Sequence, residues 1–324
     1  MTTKEKLLKL FEARKGVYFS GEEIARQLSV SRAAVWKAVN ALRKEGYSID
    51  AVPNRGYCLA ADTDILSPQG IQKYLEAPCA DLRIQVVPRA DSTNALVREK
   101  ANAGEKEGFT LIANEQTAGR GRMGRSFYSP EGTGAYLSLL LRPDRCPAGQ
   151  AVRITTTAAA AMCQAIESVC GEKPGIKWVN DIFVRGRKVC GILTEGSFGL
   201  ESGLLEYAVL GVGINVYEPE GGFPAPLADV AGALLDHRAD DFKNRLVAAF
   251  LNRLMAFYRS GDPAAALEAY RHYSLVVGRE VTVHAASGDR RALVLGIDDE
   301  CHLDLRYDDG TEANLSCGEI SVRL

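Results

Sequence analysis

The string Gln116-Thr117-Ala118-Gly119-Arg120-Gly121-Arg122-Met123-Gly124-Arg125 sets three arginines among three glycines within ten residues. Neither a helix nor a strand favours that composition. Glycine lets a backbone approach a ligand closely, and arginine offers a planar fork of donors matched to carboxylates and phosphates. Three guanidiniums on one flexible loop repel one another, so a bound anion is their natural partner. Taken alone, the segment also fits a solvated basic turn or a nucleic-acid patch.

Three further segments carry chemistry. Asp91-Ser92-Thr93-Asn94 follows a strand and opens a helix. Such a string is either a helix cap or a cluster of small donors and acceptors for a neutral polar ligand. Lys177-Trp178-Val179-Asn180-Asp181 is followed by Arg187-Lys188-Val189-Cys190-Gly191-Ile192-Leu193. Lys188 precedes apolar strand residues, so it is either a snorkelling edge residue or a fixed point charge for an anion. Gly211-Val212-Gly213-Ile214-Asn215 places glycines in a strand, where a ligand or backbone must come close. It lacks the third glycine and helix start of a dinucleotide fingerprint, and the chain has no GxxxxGK[ST] phosphate loop.

The elements that must position these residues alternate. Strands are expected at 82–87, 109–113, 135–141, 176–178, 182–184, 188–194 and 207–216, with helices at 92–103, 148–170, 241–259 and 263–274. Grouped strands with uneven helices predict a mixed sheet in an α+β domain rather than a doubly wound fold. After 278 come five short strand candidates (280–284, 291–297, 302–307, 311–315 and 320–324), the pattern of a small β-barrel.

The first sixty residues differ from the rest. They carry eleven Lys and Arg against six Asp and Glu, whereas the remainder carries 28 against 35. A basic front on an acidic body predicts that this end alone meets a polyanion. Helices are expected at 4–14, from a capping box at Ser20-Gly21-Glu22-Glu23 through 28, and from Ser31 through 45. On the last of these, Val35, Val39 and Leu42 face a core. Arg32, Trp36, Lys37 and Asn40 lie where base edges and phosphates of a major groove can be reached. A hairpin with Pro53-Asn54-Arg55 at its tip completes a winged helix-turn-helix, with Arg55 as the wing contact to DNA. Residues 60–68 are polar, aperiodic and end in proline, so a linker is expected there.

The eight cysteines, from Cys58 to Cys317, form no CxxC pair, and the four histidines lie far from them. No metal-ligand spacing results, and reduced thiols are expected. The N-terminus alternates charge with leucine rather than presenting an apolar block, and no run of 18 apolar residues occurs. A cytoplasmic protein with no membrane contact is expected.

Taken in order, the Ser-Thr-Asn helix start, the Gly-Arg-Gly-Arg-x-Gly-Arg loop, the Lys-Trp-x-Asn-Asp string, the Arg-Lys-x-x-Gly-Ile-Leu strand and the Gly-x-Gly-Ile-Asn strand resemble the biotin–protein ligase family. The resemblance spans the whole chain, and the winged front end matches the bifunctional subclass that also represses the biotin operon. Two positions depart from the family pattern: Val179 replaces a proline, and Phe127 replaces a common tryptophan.

The resemblance implies a multidomain α+β fold. Residues 1–62 are the winged helix-turn-helix, 68–275 an α/β mixed-sheet ligase domain, and 276–324 an SH3-like β-barrel. It implies activation of biotin by ATP, with Mg²⁺, to biotinyl-5′-adenylate, then transfer to a lysine of a biotin carboxyl carrier protein. Operator DNA and a homodimer formed with adenylate bound are the further partners.

Carried over residue by residue, Ser92, Thr93, Asn94, Gln116, Arg120, Gly121, Arg122 and Lys188 bind biotin, with Lys188 and Arg122 catalytic. Arg125, Phe127, Asn180, Asp181, Gly211, Gly213 and Asn215 border the adenylate. The arginine–glycine loop is expected to order on ligand binding. The alternatives are a ligand-sensing repressor with little turnover and a lipoate-type acyl ligase, whose glycine-rich histidine motif is absent.

Overall fold

A computed structural model describes residues 1–199, 201–285, 288–316 and 318–322. The chain forms two compact units: Met1–Glu76 with His237–Ala249, and Ala77–Asp236 with Phe250–Leu324. Cys317 and residues 323–324 of the last expected strand lie outside the described residues.

The first unit holds α1 (Thr3–Ala13), α2 (Gly21–Leu28), α3 (Arg32–Lys44), β1 (Ile49–Val52), β2 (Gly56–Leu59) and α4 (Pro68–Gln72). Ser20 and Ser31 start α2 and α3 by accepting the Glu23 and Ala34 amides at 3.0 and 3.2 Å. The reciprocal capping box expected at Ser20 occurs instead at Thr2 and Glu5 of α1. Leu7, Phe11, Ile24, Val35, Val39 and Leu42 close one core between the three helices, as the apolar stripes require. Val52 pairs with Gly56 across the hairpin. Gly56 has φ +98°, and a Cβ there would run into the Phe19 carbonyl, so only glycine lets Phe19 and Tyr57 exchange their two backbone bonds.

The expected linker at 60–68 has no helix or strand before Pro68. Thr63, Asp64, Leu66 and Ser67 are buried. Asp64 accepts the Lys243 amide at 2.8 Å, and Asn244 accepts the Ser67 amide at 3.1 Å while donating to Ile65 O at 2.8 Å. Ser67 then caps α4, with Pro68 in its first turn. The polar composition serves buried hydrogen bonds to residues far along the chain.

The second unit contains β3 (Arg83–Val87), α5 (Thr93–Asn102), β4 (Phe109–Ala113), β5 (Gly134–Leu141), α6 (Val152–Cys170), β6 (Gly175–Lys177), β7 (Asp181–Val184), β8 (Arg187–Phe198) and β9 (Leu205–Asn215). Of α7 (Phe242–Ser260), the residues up to Ala249 belong to the first unit; the second continues with α8 (Pro263–His272), β10 (Glu280–Ala285), β11 (Gly288–Ile297), β12 (Leu303–Tyr307), β13 (Glu312–Leu315) and β14 (Glu319–Ser321).

Seven strands form one mixed sheet in the order β3-β4-β5-β9-β8-β7-β6, with only β3 and β4 parallel. Val97 and Ala101 of α5 pack on Phe109, Leu111, Leu140 and Val209. Ala158–161 of α6 are fully buried, small side chains that permit close packing. The strand expected to end at 194 continues to Phe198 because Glu195, Gly196 and Ser197 stay paired with β9. The last five strands form an antiparallel sheet in the order β13-β12-β11-β10-β14. No described helix is long and apolar enough to cross a membrane.

Candidate functional site

A cleft of about 120 Å³ in the second unit brings together the four segments singled out by their residue types. Its polar wall begins at the start of α5. Ser92 caps that helix, so the capping role is real, yet the same three residues also line the cleft. Gln116 Oε1 accepts from the Thr93 amide at 2.9 Å and lies 3.0 Å from Thr93 Oγ1, and Gln116 Nε2 donates to Ser129 Oγ at 3.2 Å. Asn94, which is buried, contacts Ser138 Oγ through Oδ1 at 2.6 Å and donates through Nδ2 to Glu195 at 2.8 Å. A Cβ at Gly211 would collide with Asn94 Oδ1, which gives that strand glycine its reason.

The arginine–glycine loop folds back as a hairpin. Gly121 N donates to Arg125 O at 2.7 Å, Phe127 N donates to Gly119 O at 2.9 Å, and Arg120 bridges to Ser126. Met123, in the left-handed region, points outward and is largely exposed. Each guanidinium meets a protein acceptor. Arg120 lies 3.9 Å from Glu195, Arg122 donates to Asn180 Oδ1 at 3.2 Å, and Arg125 donates to Glu319 at 2.6 Å.

On the opposite side, Lys188 Nζ sits 2.7 Å from Asp181 Oδ1, and both side chains are about three-quarters buried. Lys188 is thus a held point charge at the cleft rather than a snorkelling edge residue. Asn180 Nδ2 donates to Ile192 O at 2.8 Å, which aims its oxygen at Arg122. The floor is formed by Gly191 and Gly213, on which the Phe127 ring rests. A Cβ would come within 3.0 Å of that ring at Gly191 and 2.5 Å at Gly213. Asn215 does not line the cleft; its amide donates to Gly232 O at 3.1 Å. Cys190 faces away into the core, and burial pushes its thiol well above the usual range, so it is no nucleophile here.

The first unit presents a different surface. Trp36 is 58% exposed on α3, with Arg32 and Lys37 exposed beside it and Asn40 half-buried. Arg55 lies at the hairpin tip with its guanidinium 4.0 Å from the Tyr18 ring centre.

Residues 86–215 match the biotin/lipoate A/B protein ligase family, and residues 3–58 match a helix-turn-helix domain. The chain is 34% identical over 314 residues to the bifunctional ligase/repressor BirA of Bacillus subtilis, covering 95% of each chain. It belongs to the biotin–protein ligase family, in its bifunctional ligase/repressor branch. The BirA of Escherichia coli is 34% identical over 202 residues, covering 62% of this chain and 60% of its own length. A biotin protein ligase from Aquifex aeolicus, solved in complex with biotin and ATP, has the same fold. Its TM-score is 0.61 at 24% identity, covering 74% of this chain and 98% of that one.

Within the family pattern, Val179 follows Trp178 through a cis peptide bond and accepts from Tyr270 Oη at 3.1 Å. Trp178 Nε1 donates to Cys301 O at 2.9 Å, which ties the Asn180-Asp181 turn to the C-terminal sheet. Residue types alone missed Ser129, Ser138, Glu195 and Glu319. Ser138 had a signal, because it is the one polar residue in the apolar strand β5, and a buried hydroxyl there needs partners. The two glutamates had none, since they reach the site only through pairing and long-range contact.

Proposed function

We propose that this ligase joins biotin to ATP as biotinyl-5′-adenylate and passes the biotinyl group to a lysine of a biotin carboxyl carrier protein. In the first step the biotin carboxylate attacks the α-phosphate, a C–O–P bond forms, and the bond to the leaving pyrophosphate breaks. Two anions must meet, and no proton has to be removed. Position and charge neutralisation carry such a step. In the second step the carrier lysine, as free amine, attacks the acyl carbon; an amide forms, a proton is lost and AMP leaves.

The observation that carries this reading is the convergence of Lys188, Arg120, Arg122 and Arg125 on one cleft whose other wall is neutral and polar. Ser92, Thr93, Asn94 and Gln116 would receive the ureido ring. Arg120, Gly121, Arg122 and Lys188 would receive the carboxylate and α-phosphate. Arg125, Phe127, Asn180, Asp181, Gly211 and Gly213 would border the nucleotide. Asn215 acts behind them by holding the 230–232 segment.

Magnesium fits as a companion of ATP rather than as a resident ion. Asp181 and Glu319 are the carboxylates that line the cleft, and Asp181 has a second oxygen besides the one 2.7 Å from Lys188. Mg²⁺ is commonly held by one or two such groups plus substrate phosphates. Bound there, it would spread the charge of the leaving pyrophosphate.

The first unit would carry the repressor role. Its winged helix-turn-helix, residues 1–62, would read operator DNA through Arg32, Trp36, Lys37 and Asn40, with Arg55 on the wing. A homodimer formed with adenylate bound would match two half-sites. Residues 68–275 would be the catalytic domain, and 276–324 an SH3-like barrel closed from the five-stranded sheet. With these partners the protein would act in the cytoplasm. ATP- and biotin-dependent labelling of a carrier domain, with an operator mobility shift run with and without biotin, tests both halves. Absence of labelling overturns the enzyme, and a shift indifferent to biotin overturns the repressor.

A further inference from the structure

Glu195 lies on β8 behind the cleft wall and does not line the cleft. Its Oε2 accepts from Asn94 Nδ2 at 2.8 Å. Its Oε1 faces two guanidiniums, Arg98 at 3.4 Å and Arg120 at 3.9 Å. A carboxylate between two guanidiniums and an amide NH₂ can only accept.

This fixes a direction. The Asn94 NH₂ must point at Glu195, with Leu193 O as a second acceptor at 3.3 Å. Asn94 Oδ1 then takes the Ser138 proton across 2.6 Å. Ser138 Oγ lies 2.8 Å from Thr93 Oγ1, which in turn lies 3.0 Å from Gln116 Oε1. Ser138 Oγ, its proton so spent, can only accept from Thr93 Oγ1, so Asn94, Ser138 and Thr93 form one chain whose order of donors and acceptors starts at a single charge, while Gln116 Oε1 is fixed by the Thr93 amide at 2.9 Å.

We propose that Glu195 is a positioning residue: it sets the donor and acceptor order of the wall that receives the neutral polar end of biotin. The inference rests on the biotin reading given above. Its strength comes from the cost of a mismatch. A ureido group offers N–H and C=O at fixed places, and a wall with one amide turned over leaves a buried polar group unpaired.

Steady-state kinetics of the full-length protein, with biotin and ATP varied separately, test the assignment. Glu195→Ala is expected to raise the KM for biotin about tenfold, the scale of one lost charged hydrogen bond. The kcat and the KM for ATP are expected to stay within about twofold. Glu195→Gln, of the same shape, can turn either amide atom toward Asn94, so it is expected to show an intermediate rise of roughly threefold to tenfold. Ser138→Ala cuts the same chain, so the double variant with Glu195→Gln is expected to be little worse than Ser138→Ala alone.

An unchanged KM for biotin in both Glu195 variants overturns the proposal. So does a loss falling equally on ATP, or an additive double variant. Should Glu195→Ala fail to fold, Glu195→Gln decides. A wild-type protein that transfers no biotin overturns the underlying reading and this proposal with it. A wild type that transfers normally beside indifferent variants overturns the proposal alone.

Discussion

Lys188 Nζ and Asp181 Oδ1 stand 2.7 Å apart across the β7–β8 pair, in which Lys188 lies opposite Phe183, two residues along the strand from Asp181. The carboxylate holds the ammonium at the cleft. Lys188→Ala is therefore expected to slow adenylate formation by about two to three powers of ten, the scale of one lost contact to a developing charge. Asp181→Asn keeps the lysine but loosens it, and roughly tenfold is expected. Isotope exchange between pyrophosphate and ATP reads both. A Lys188→Ala rate near wild type contradicts the assignment.

Gly213 and Gly191 leave room for the Phe127 ring. Gly213→Ala would put a methyl 2.5 Å from that ring. Overpacking of this kind costs about 1–3 kcal/mol, and the ring is the softer partner, so it should swing away from the floor. The expected result is a KM for ATP raised several-fold with little change for biotin. Adding Phe127→Ala should restore the lost melting temperature but not the affinity for ATP. If the KM for ATP stays put in Gly213→Ala, Phe127 does not border the nucleotide.

In the first unit, Asp241 gathers Lys15 at 2.8 Å, Tyr74 at 2.6 Å, Asn244 at 2.8 Å and Lys73 at 2.5 Å. Burial alone would raise its carboxyl, but these hydrogen bonds outweigh burial and hold it below the usual carboxylate range. For Lys73, burial works to lower the ammonium, and the bonds to Asp241 and Glu12 overcome it and raise it. The depressed acid contributes stability above its unfolded value, about 4, that is lost as pH falls through the folded one. The raised lysine contributes below its unfolded value, about 10.4, and that share is lost as pH climbs through the folded one. Unfolding of this unit, followed by circular dichroism, should therefore show a plateau with an acid and an alkaline flank. Asp241→Asn should flatten the acid flank and lower the plateau. An acid flank identical to wild type would remove Asp241 from the account.

Much of this was legible in local pattern. β4 is legible residue for residue because a largely apolar run lies between polar stretches, and α3 is legible to within its caps because Ser31 precedes a stripe of Val35, Val39 and Leu42. The cleft was legible because its residue types are unusual for their elements: arginines among glycines, and glycines inside a strand. The buried hydrogen bonds of residues 60–68 are not legible, because Asp64 and Ser67 find partners at 243 and 244, which no local period encodes. Glu195 escaped for the same reason. Its neighbours Thr194 and Gly196 look like the end of a strand, and only pairing with Val209 keeps the chain extended beneath Asn94.

Two basic residues of α3 should behave differently in DNA binding, and the difference tests the recognition face. Arg43 spends its guanidinium internally, donating to Ile49 O at 2.9 and 2.5 Å and thereby holding the start of β1. Lys37 is exposed and, among the described residues, makes no ion pair. Lys37→Ala should weaken binding to DNA upstream of the host's biotin genes and reduce the slope of log affinity against log salt by about one, the value for one phosphate contact. Arg43→Ala should lower the melting temperature of the unit. Its salt slope at temperatures where the variant remains folded should match that of wild type. Trp36→Ala should lower affinity with no change of slope, because an indole releases no counterion. An unaltered slope in Lys37→Ala, measured with biotin and ATP present, would move the DNA contact off this face of α3.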